Sequence, residues 1–405
     1  MKNVILFTID TLRRDVLGCY GDHKGLTPFL DSIQDNCIRF TRCQASGPYT
    51  QASFPAILSS SYFLEYVKTP QAQFSNKRTL ISEVLKKEGI YTAAFHSNPY
   101  LSAYFGWNRG WDQFYDSMQD AVDDVNPYIK GNTINDKVNK WLSSYISGSK
   151  YKPFFLWVHY MDVHEPYAPD KRYTEKVDVS LELTKKDYLK LFKEVVLPRN
   201  TSNKETVKLL KKLYYAHVIE VDEYARMLFE ILDKHGVLNE SMVIITSDHG
   251  EEFDEHGSLS HDGKMYSELV HVPLMIYDPA LDKGQVCNNL VSGVDIPPTI
   301  LHLFGLQPYA DFKGKSLVPV DQYISEGCFG ECIGKLKHKM QPSDQPTYFY
   351  RYEDMKIIYR EEGDSWEFYD LKADPGEKNN IFQSAQSAEE MEMKLGDFIK
   401  RNSQI

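Results

Sequence analysis

Residues 3–9 read NVILFTI, an apolar run rich in β-branched residues, and Asp10 follows this run directly. Two later runs have the same character: PFFLWVHYM at 153–161 and MVIITSD at 242–248. Patterns with helical periodicity, such as TLISEVLKKEGI, lie between the apolar runs. This alternation is typical of βαβ units, in which buried parallel strands are covered by helices. We therefore predict an α/β fold built on a mostly parallel sheet.

The organisation of the chain changes near residue 307. A lysine- and glutamate-rich stretch at about 170–215 leads into a long amphipathic helical pattern that ends at Gly236. A stretch with Pro and Gly at 307–325 precedes PTYFYRYEDMKIIYREEGDSWEFYDL, which alternates like antiparallel strands, and the segment from about 386 is helical in pattern. We predict two units, residues 1–310 and 311–405.

The composition of the 405 residues excludes several classes of protein. Hydrophobic residues make up 42% and charged residues 25%, which is typical of a globular protein and not of a disordered or collagen-like chain. The formal net charge of −11 argues against nucleic acid as a partner. No apolar run approaches the ~18 to 20 residues of a membrane span.

The cysteines and the first residues bear on the compartment. MKNVILFTID begins a strand-like run at its third residue and leaves no room for a signal peptide. The six cysteines include no CxxC pair, so we expect free thiols in a cytoplasmic protein. Cys328 and Cys332 are spaced for one face of a helix, and a two-cysteine zinc site is the alternative interpretation of that pair.

Polar side chains follow two of the apolar runs. Asp10 comes directly after the first, and Asp248 and His249 end the third. A carboxylate is costly to bury there unless it is paired or holds a cation, and ligands bind outside the carboxyl ends of strands in α/β sheets. The three residues predict a divalent-cation site. As alternatives, Asp10 would cap the next helix and Asp248 would begin a turn.

Six segments resemble the sulfatase family of the alkaline phosphatase superfamily: ILFTIDTLRRDVLGCYG, FFLWVHYMDVHEPYAP, SDHGEEFDEHG, YSELVHVPLMIYDP, VDIPPTILHLFG and EFYDLKADPGEKNNI. They cover nearly the whole chain in the family's order. The resemblance implies an alkaline-phosphatase-like mixed, mostly parallel sheet flanked by helices, a smaller C-terminal lobe around a short antiparallel sheet, and metal-assisted ester hydrolysis. It also places Asp10, Asp248 and His249 on the metal-ligand positions.

The family nucleophile is a Cys or Ser in CxPxR that is oxidised to formylglycine, and its counterpart here is Thr50 in GPYTQASFPAILSS. Phe54 stands where the motif has arginine. Threonine cannot become formylglycine by that route. The resemblance therefore points to branches similar to nucleotide phosphodiesterases, which use a threonine alkoxide activated by a cation or base. We assign Thr50 as nucleophile and metal ligand; the alternative is a hydroxyl that caps the next helix.

The resemblance also implies residues that contact the ester. The counterpart of His164 contacts the ester or its leaving group, and an imidazole can protonate a departing oxygen. We favour His261 as a second anion-contacting catalytic residue, with Lys264 as the alternative and a solvated loop as the third interpretation. Asn98, in the stretch that replaces the family's GKWH, is expected to donate a hydrogen bond to the bound oxyanion.

Three further polar residues are weaker candidates. His159 and Asp162 end the second apolar run, where a histidine is usually a structural hydrogen bonder, and a structural role is also expected for His256.

Thr11 replaces the family's second aspartate, which removes an oxygen ligand. Manganese, zinc or magnesium is therefore as plausible as calcium for the divalent metal ion.

We therefore interpret the chain as a metal-dependent, sulfatase-like hydrolase that cleaves phosphate esters through Thr50, with sulfate esters as the alternative. The expected partner is a small-molecule or glycan ester. Two other functions stay open: a phosphotransferase that passes the group to a sugar or glycerol hydroxyl, and a catalytically silent sulfatase-fold binding protein.

Overall fold

The computed structural model describes residues 2–66, 74–148, 152–179, 182–334 and 344–403 of the chain. Its strands are β1 (Asn3–Ile9), β2 (Cys37–Gln44), β3 (Tyr91–His96), β4 (Gln113–Tyr115), β5 (Phe154–Tyr160), β6 (Ser241–Ser247), β7 (Glu252–Phe253), β8 (Leu259–Ser260), β9 (His271–Tyr277), β10 (Gln285–Ser292), β11 (Cys328–Ile333), β12 (Pro346–Tyr352), β13 (Met355–Arg360) and β14 (Ser365–Asp370).

Eight of these strands form one mixed sheet in the order β10-β2-β9-β6-β1-β5-β3-β4. The four strands β6, β1, β5 and β3 are neighbours and run parallel, whereas β9 runs antiparallel to both β2 and β6. The predicted mixed, mostly parallel sheet is therefore confirmed. The central strands are fully buried, which explains why their sequences are continuous apolar runs rather than alternating ones.

The helices are α1 (Pro28–Ser32), α2 (Thr50–Ser59), α3 (Ile81–Lys87), α4 (Gly131–Ile146), α5 (Lys171–Thr174), α6 (Lys185–Leu191), α7 (Lys204–Lys234), α8 (Ser267–Val270), α9 (Ile296–Leu303) and α10 (Ala388–Ser403). Side chains of β1 alternate between the two faces of the sheet. Ile5 and Phe7 join one apolar core with α1, α4 and α7. Val4 and Leu6 join a second core with α2, α3 and α9 on the opposite face.

The long predicted amphipathic helix is α7, which packs against the first of these cores. The Asn203 side chain accepts hydrogen bonds from the backbone N–H groups of Glu205 and Thr206, both at 3.1 Å, and so caps its first turn. The helix ends before Gly236, whose φ of +70° lies in the left-handed region that favours glycine. The stop signal predicted from the sequence, Gly236, follows the last helical residue, Lys234, by two positions.

The C-terminal part of the chain forms an antiparallel sheet in the order β11-β12-β13-β14. One face of this sheet packs against α10, and the other contributes Phe349, Ile358 and Tyr369 to the second core of the main sheet. The antiparallel C-terminal sheet is as predicted. The division between residues 310 and 311 stays a prediction, although it falls between α9 and β11.

The interpretation of Cys328 and Cys332 as residues of one helical face is wrong, because both lie on β11. Both thiols are buried, and no group of three metal-ligating side chains in the described ranges includes a cysteine. No helix in the described part of the chain combines the length and the apolar character needed to cross a membrane.

Asp162, one of the weaker catalytic candidates, lies in a buried network beneath α4. Its Oδ2 atom accepts a hydrogen bond of 2.9 Å from the backbone N–H of Gly131, at the start of that helix. The neighbouring Glu220 carboxylate is held at 2.9 Å by Lys130. Burial and the charge of Glu220 raise the pKa of Asp162 to about 8.

This raised pKa predicts that stability falls with pH. The folded chain holds a proton on Asp162 that the unfolded chain loses above pH 3.8, so the free energy of unfolding should fall as pH rises from there towards 8. Asp162→Asn keeps an acceptor for the Gly131 N–H and carries no charge. We expect the variant to flatten this fall in urea denaturation at pH 5 and pH 8. An unchanged difference between the two pH values would contradict the assignment.

Candidate functional site

Strand register brings the predicted cation ligands together. On β1, Ile9 is paired with Ser247 of β6 on one side and with Tyr160 of β5 on the other. Asp10 and Asp248 directly follow the paired residues Ile9 and Ser247. The two carboxylates therefore emerge side by side at the carboxyl end of the sheet, where α/β folds bind ligands.

A strained turn holds this pair in place. Thr11 has a φ of +54°, which is rare for a β-branched residue and occurs where the surrounding structure enforces it. In this conformation the Thr11 N–H donates to Asp248 Oδ1 at 3.3 Å, while the Asp10 N–H donates to the Tyr160 carbonyl at 2.9 Å. The turn after β1 is thereby tied to both neighbouring strands.

His249 completes the cluster of predicted metal ligands. Its Nε2 atom lies 3.5 Å from Asp10 Oδ1 and 3.5 Å from Asp248 Oδ2, and all three side chains are buried. Its Nδ1 atom lies 2.9 Å from the Gly250 carbonyl and donates a hydrogen bond there. That bond leaves Nε2 as the ring atom that faces the carboxylates, the orientation in which histidine binds metals.

The pKa values of the two carboxyl groups are shifted in opposite directions. Burial disfavours ionisation of Asp10, but its hydrogen bond to His159 and the charges of His164 and His249 outweigh burial and lower its pKa. Burial and the Asp10 charge raise the pKa of Asp248 well above its ordinary value. Two facing buried carboxylates repel each other, and a divalent cation between them would remove that repulsion.

These residues fit a divalent cation. Ligand atoms of Asp10, Asp248 and His249 all lie within 4.8 Å of one another, and the set combines hard oxygens with one imidazole. Asp10 Oδ1 is buried and accepts no hydrogen bond from any described residue. An acceptor of this kind is costly in a protein interior unless a cation or donor reaches it.

Thr50 lies against this cluster. It is the first residue of α2, and its hydroxyl donates to Asp10 Oδ2 at 3.3 Å. The Asn98 amide donates to the same Asp10 oxygen at 2.9 Å and to Thr50 Oγ1 at 3.2 Å. The predicted nucleophile and the predicted oxyanion donor are therefore both in contact with a predicted metal ligand.

The two predicted catalytic histidines form a second cluster beside the first. The rings of His164 and His261 are 4.9 Å apart, and the ring of His261 is 4.3 Å from that of His249. The Glu165 carboxylate lies 3.7 Å from His164 Nδ1 and 3.6 Å from His261 Nδ1. His164, Glu165 and His261 also offer ligand atoms within 4.8 Å of one another, and are a second group that could hold a cation.

Sequence reasoning did not single out Glu165 or Glu251. Glu251 Oε1 lies 2.9 Å from His261 Nδ1, and its Oε2 accepts a hydrogen bond of 2.8 Å from the Tyr167 hydroxyl. A carboxylate on one ring nitrogen fixes the tautomer of the His261 ring and its orientation. The sequence did carry a signal for both residues. Glu165 directly follows His164 in DVHEPY, and Glu251 comes two residues after His249 in DHGEE.

The remaining candidates lie at different distances from the cluster. His159 contacts it, with Nε2 3.5 Å from Asp10 Oδ2 and Nδ1 2.9 Å from the Thr8 hydroxyl. Lys264 instead forms an ion pair of 2.9 Å with the buried Glu252. These contacts favour His261 over Lys264 as the anion-contacting residue.

His256, expected to be structural, packs within the fold away from these contacts. Its ring stacks on Tyr266 at 3.5 Å, and its two ring nitrogens contact the Glu268 carboxylate and the Glu377 carbonyl. Both nitrogens are therefore occupied by protein groups.

Two family models match this chain. The model described as Sulfatase matches residues 2–306, and the model described as N-sulphoglucosamine sulphohydrolase, C-terminal, matches residues 254–404. The chain belongs to the sulfatase family. The family predicted from the sequence is thereby confirmed.

Named members of the sulfatase family resemble the chain over most of its length. An N-acetylglucosamine-6-O-sulfatase of Bacteroides thetaiotaomicron is 25% identical, over 95% of this chain and 83% of the relative. An arylsulfatase of Clostridium perfringens is 23% identical, over 96% and 92%.

Solved structures share the fold. A protein in complex with its substrate D-glucosamine-2-N,6-O-disulfate has a TM-score of 0.80 at 22% identity, over 100% of this chain and 98% of the other. The phosphonate monoester hydrolase of Agrobacterium radiobacter has a TM-score of 0.79 at 18% identity, over 100% and 96%.

We predict that Asp10→Asn weakens divalent-metal binding. Loss of a group that merely orients a metal ligand costs about 10- to 100-fold in affinity, so loss of a ligand should cost more than about 100-fold. Titration calorimetry with Mn²⁺ measures the change. Asp162→Asn is the matched control. It neutralises another buried carboxyl group near the end of β5, but this group accepts a hydrogen bond from Gly131 and is not a proposed metal ligand, so Mn²⁺ affinity should not change. Equal Mn²⁺ affinity in the parent and Asp10→Asn would refute the assignment of the ligand.

Proposed function

We propose that this sulfatase-family chain is a metal-dependent hydrolase of phosphate monoesters or diesters with Thr50 as its nucleophile. The observation that carries the proposal is the position of the Thr50 hydroxyl, 3.3 Å from Asp10 in the cluster of buried carboxylates and imidazole. Sulfate esters are the competing substrates. The names of the relatives, which refer to sulfated glucosamine derivatives, support a small-molecule or glycan ester as substrate.

Asp10, Asp248, His249 and Thr50 would hold the cation, for which manganese, zinc, magnesium and calcium are the candidates. When bound, a divalent cation supplies positive charge that lowers the pKa of a neighbouring hydroxyl and neutralises charge on ester oxygens. The protein residues orient the reacting groups. Asp10 and Asn98 together hold the Thr50 oxygen in one position through hydrogen bonds of 3.3 and 3.2 Å.

In the first step, Thr50 Oγ1, having lost its hydroxyl proton to solvent, attacks phosphorus in line. The bond from Oγ1 to phosphorus forms, and the bond from phosphorus to the alcohol oxygen breaks. The departing oxygen needs a proton, which His164 or His261 supplies. Glu251 orients His261 and stabilises its charged form, as carboxylates do for catalytic histidines. Asn98 is a neutral donor toward the oxyanion.

In the second step, water attacks the phosphothreonine and the bond from phosphorus to Thr50 Oγ1 breaks. Phosphate is released, and Thr50 leaves as the alkoxide that entered the first step. The histidine that gave up its proton accepts one from this water. An acceptor alcohol in place of water would make the same chain a phosphotransferase to a sugar or glycerol hydroxyl.

The threonine nucleophile favours phosphorus over sulfur. A formylglycine hydrate releases sulfate by elimination from a geminal diol, whereas a threonine ester must be attacked a second time. In-line displacement at phosphorus can occur twice at one site. A phosphonate monoester hydrolase has the same fold as this chain. This similarity supports the proposal that the substrate is a phosphorus ester.

A cytoplasmic location is part of the proposal. All six cysteines are buried thiols outside disulfides, the form expected in a reducing compartment. Mass analysis of protein from its native source, with and without thiol alkylation, tests the proposal. Three disulfides would contradict it.

We predict that Thr50→Ala abolishes turnover but not folding. Loss of a helix-start hydroxyl costs about 1 kcal/mol, so the fold should persist. Mn²⁺ should still bind through Asp10, Asp248 and His249, but more weakly than in the parent, because one proposed ligand is lost. Loss of a nucleophile lowers kcat by roughly 10³-fold or more. Thr50→Ser should keep part of the activity. The assays use an aryl phosphate, a phosphodiester and an aryl sulfate, with and without added glycerol as acceptor.

Ser53→Ala is the matched control for this experiment. Ser53 is on the same helix and is equally buried, but its hydroxyl donates to the Tyr49 carbonyl at 3.0 Å and does not contact Asp10. Ser53→Ala should turn over substrate like the parent. Full activity of Thr50→Ala would exclude the threonine mechanism. A folded parent that binds Mn²⁺ but turns over none of the substrates would favour the silent binding protein.

A further inference from the structure

A cavity whose lining includes many charged residues lies where the segment after β1 meets the C-terminal sheet. It has a volume of about 410 Å³, and its walls include Arg14, Ser267, His271 and Arg351. None of the predicted catalytic or metal-binding residues lines it. The cavity is therefore separate from the Asp10 cluster, and its function does not follow from the proposed hydrolase activity.

Arg351 is the most unusual side chain in this wall. It lies on β12 and is only 4% exposed. Its Nε atom donates to the Glu353 carbonyl at 3.2 Å, but its Nη1 atom is buried without a hydrogen-bond partner, and no carboxylate of the described residues forms an ion pair with it. A buried guanidinium without a counter-charge is costly, so a ligand that supplies the charge would stabilise it.

Arg14 presents a second cation of this kind. It is half-buried, its Nε atom is buried without a hydrogen-bond partner, and no described carboxylate forms an ion pair with it. Its guanidinium lies 5.0 Å from the centre of the Tyr20 ring. Arg13, the preceding residue, differs because Asp15 and Glu255 each lie 2.7 Å from it.

The groups that face the two arginines leave their charge uncompensated. The Nε2–H of His271 donates to the Thr41 carbonyl oxygen at 2.9 Å, and the ring stays neutral because burial and the charges of Arg14 and Arg351 lower its pKa to about 3. The acidic residues of the wall already have basic partners. Asp15 and Glu255 bind Arg13, and Glu268 contacts His256.

We propose that this cavity binds a tetrahedral oxyanion, sulfate or phosphate, between Arg14 and Arg351. Guanidinium groups present paired N–H donors that match such oxyanions, and bonds of this kind are stronger than those between neutral groups. The Ser267 hydroxyl is a further donor in the wall. The volume leaves room for an organic group, so the anion is either the free ion or the anionic end of an ester.

The test is a calorimetric titration of inorganic phosphate into the full chain carrying Asp10→Asn. This background weakens metal binding at the catalytic cluster and so reduces its competition for phosphate. Saturable binding is expected there, and Arg14→Gln should weaken it about tenfold or more, the value of a lost charge-assisted hydrogen bond. Arg351→Met is a second variant and should weaken phosphate binding as well. Arg351 is buried, so this variant could fail to fold; in that case the Arg14→Gln result alone tests the proposal.

Arg39→Gln is the matched control. Arg39 lies over the same Tyr20 ring, at 5.5 Å, but does not line the cavity. It should leave phosphate binding unchanged. No saturable binding in the Asp10→Asn background, or equal weakening by Arg14→Gln and Arg39→Gln, would overturn the proposal. In crystals soaked with tungstate, an anomalous peak beside Arg351 Nη1 is expected, and a peak at Thr50 alone would overturn it.

A parallel titration with methyl phosphate separates the two sources of the anion. If the cavity takes the anionic end of an ester, methyl phosphate binds as tightly as inorganic phosphate and shows the same dependence on Arg14. If it takes the free ion, inorganic phosphate binds more tightly. Because Asp10→Asn is present throughout, these results do not depend on whether the chain hydrolyses phosphate esters.

Discussion

The burial of two carboxylates side by side, Asp10 and Asp248, is the constraint on which the site depends. Each is fully enclosed at the end of a strand, and the charge of Asp10 opposes ionisation of Asp248. An apolar core tolerates such a pair only where other groups compensate it. His249, Asn98 and Thr50 all approach these two residues, and the strained backbone of Thr11 ties the turn after β1 to Asp248.

The two-layered core keeps this arrangement rigid. Side chains of β1 point alternately into the core that contains α7 and the core that contains α2, so the strand cannot slip by one residue without exchanging its faces. A slip would also separate Asp10 from Asp248. The apolar packing that forms the fold thus also sets the position of the carboxylates, which explains why both follow continuous apolar runs in the sequence.

The charged groups of the molecule differ in how they are compensated. The buried carboxylate of Glu220 pairs with partly buried Lys130, and that of Glu252 pairs with partly buried Lys264, so each of these charges has an opposite charge within the protein. The Asp10 and Asp248 carboxyl groups contact histidine rings but no Lys or Arg side chain of the described residues, and the guanidiniums of Arg14 and Arg351 form no ion pair with a described carboxylate. This difference is a physical basis for two binding sites of opposite preference, one for a cation and one for an anion.

The sequence by itself determined the α/β class, the strands at the centre of the sheet, the end of α7 and the antiparallel C-terminal sheet. These follow from local properties: apolar runs, helical periodicity and a glycine after the last helical turn. It also indicated Asp10, Asp248 and His249, because polar residues at the ends of parallel strands meet at one edge of a sheet. The helical interpretation of Cys328 and Cys332 was wrong because a spacing of four residues also fits one face of a strand.

Only the tertiary structure decided which distant residues join these three. Asn98 reaches Thr50 and Asp10, and Glu251 reaches His261, through side-chain positions that depend on how loops fold across the sheet edge. The cavity between Arg14 and Arg351 likewise exists only in the tertiary structure, since its two arginines are 337 residues apart in the sequence. No local pattern encodes such contacts, because they join residues that only the packing of loops and sheets brings together.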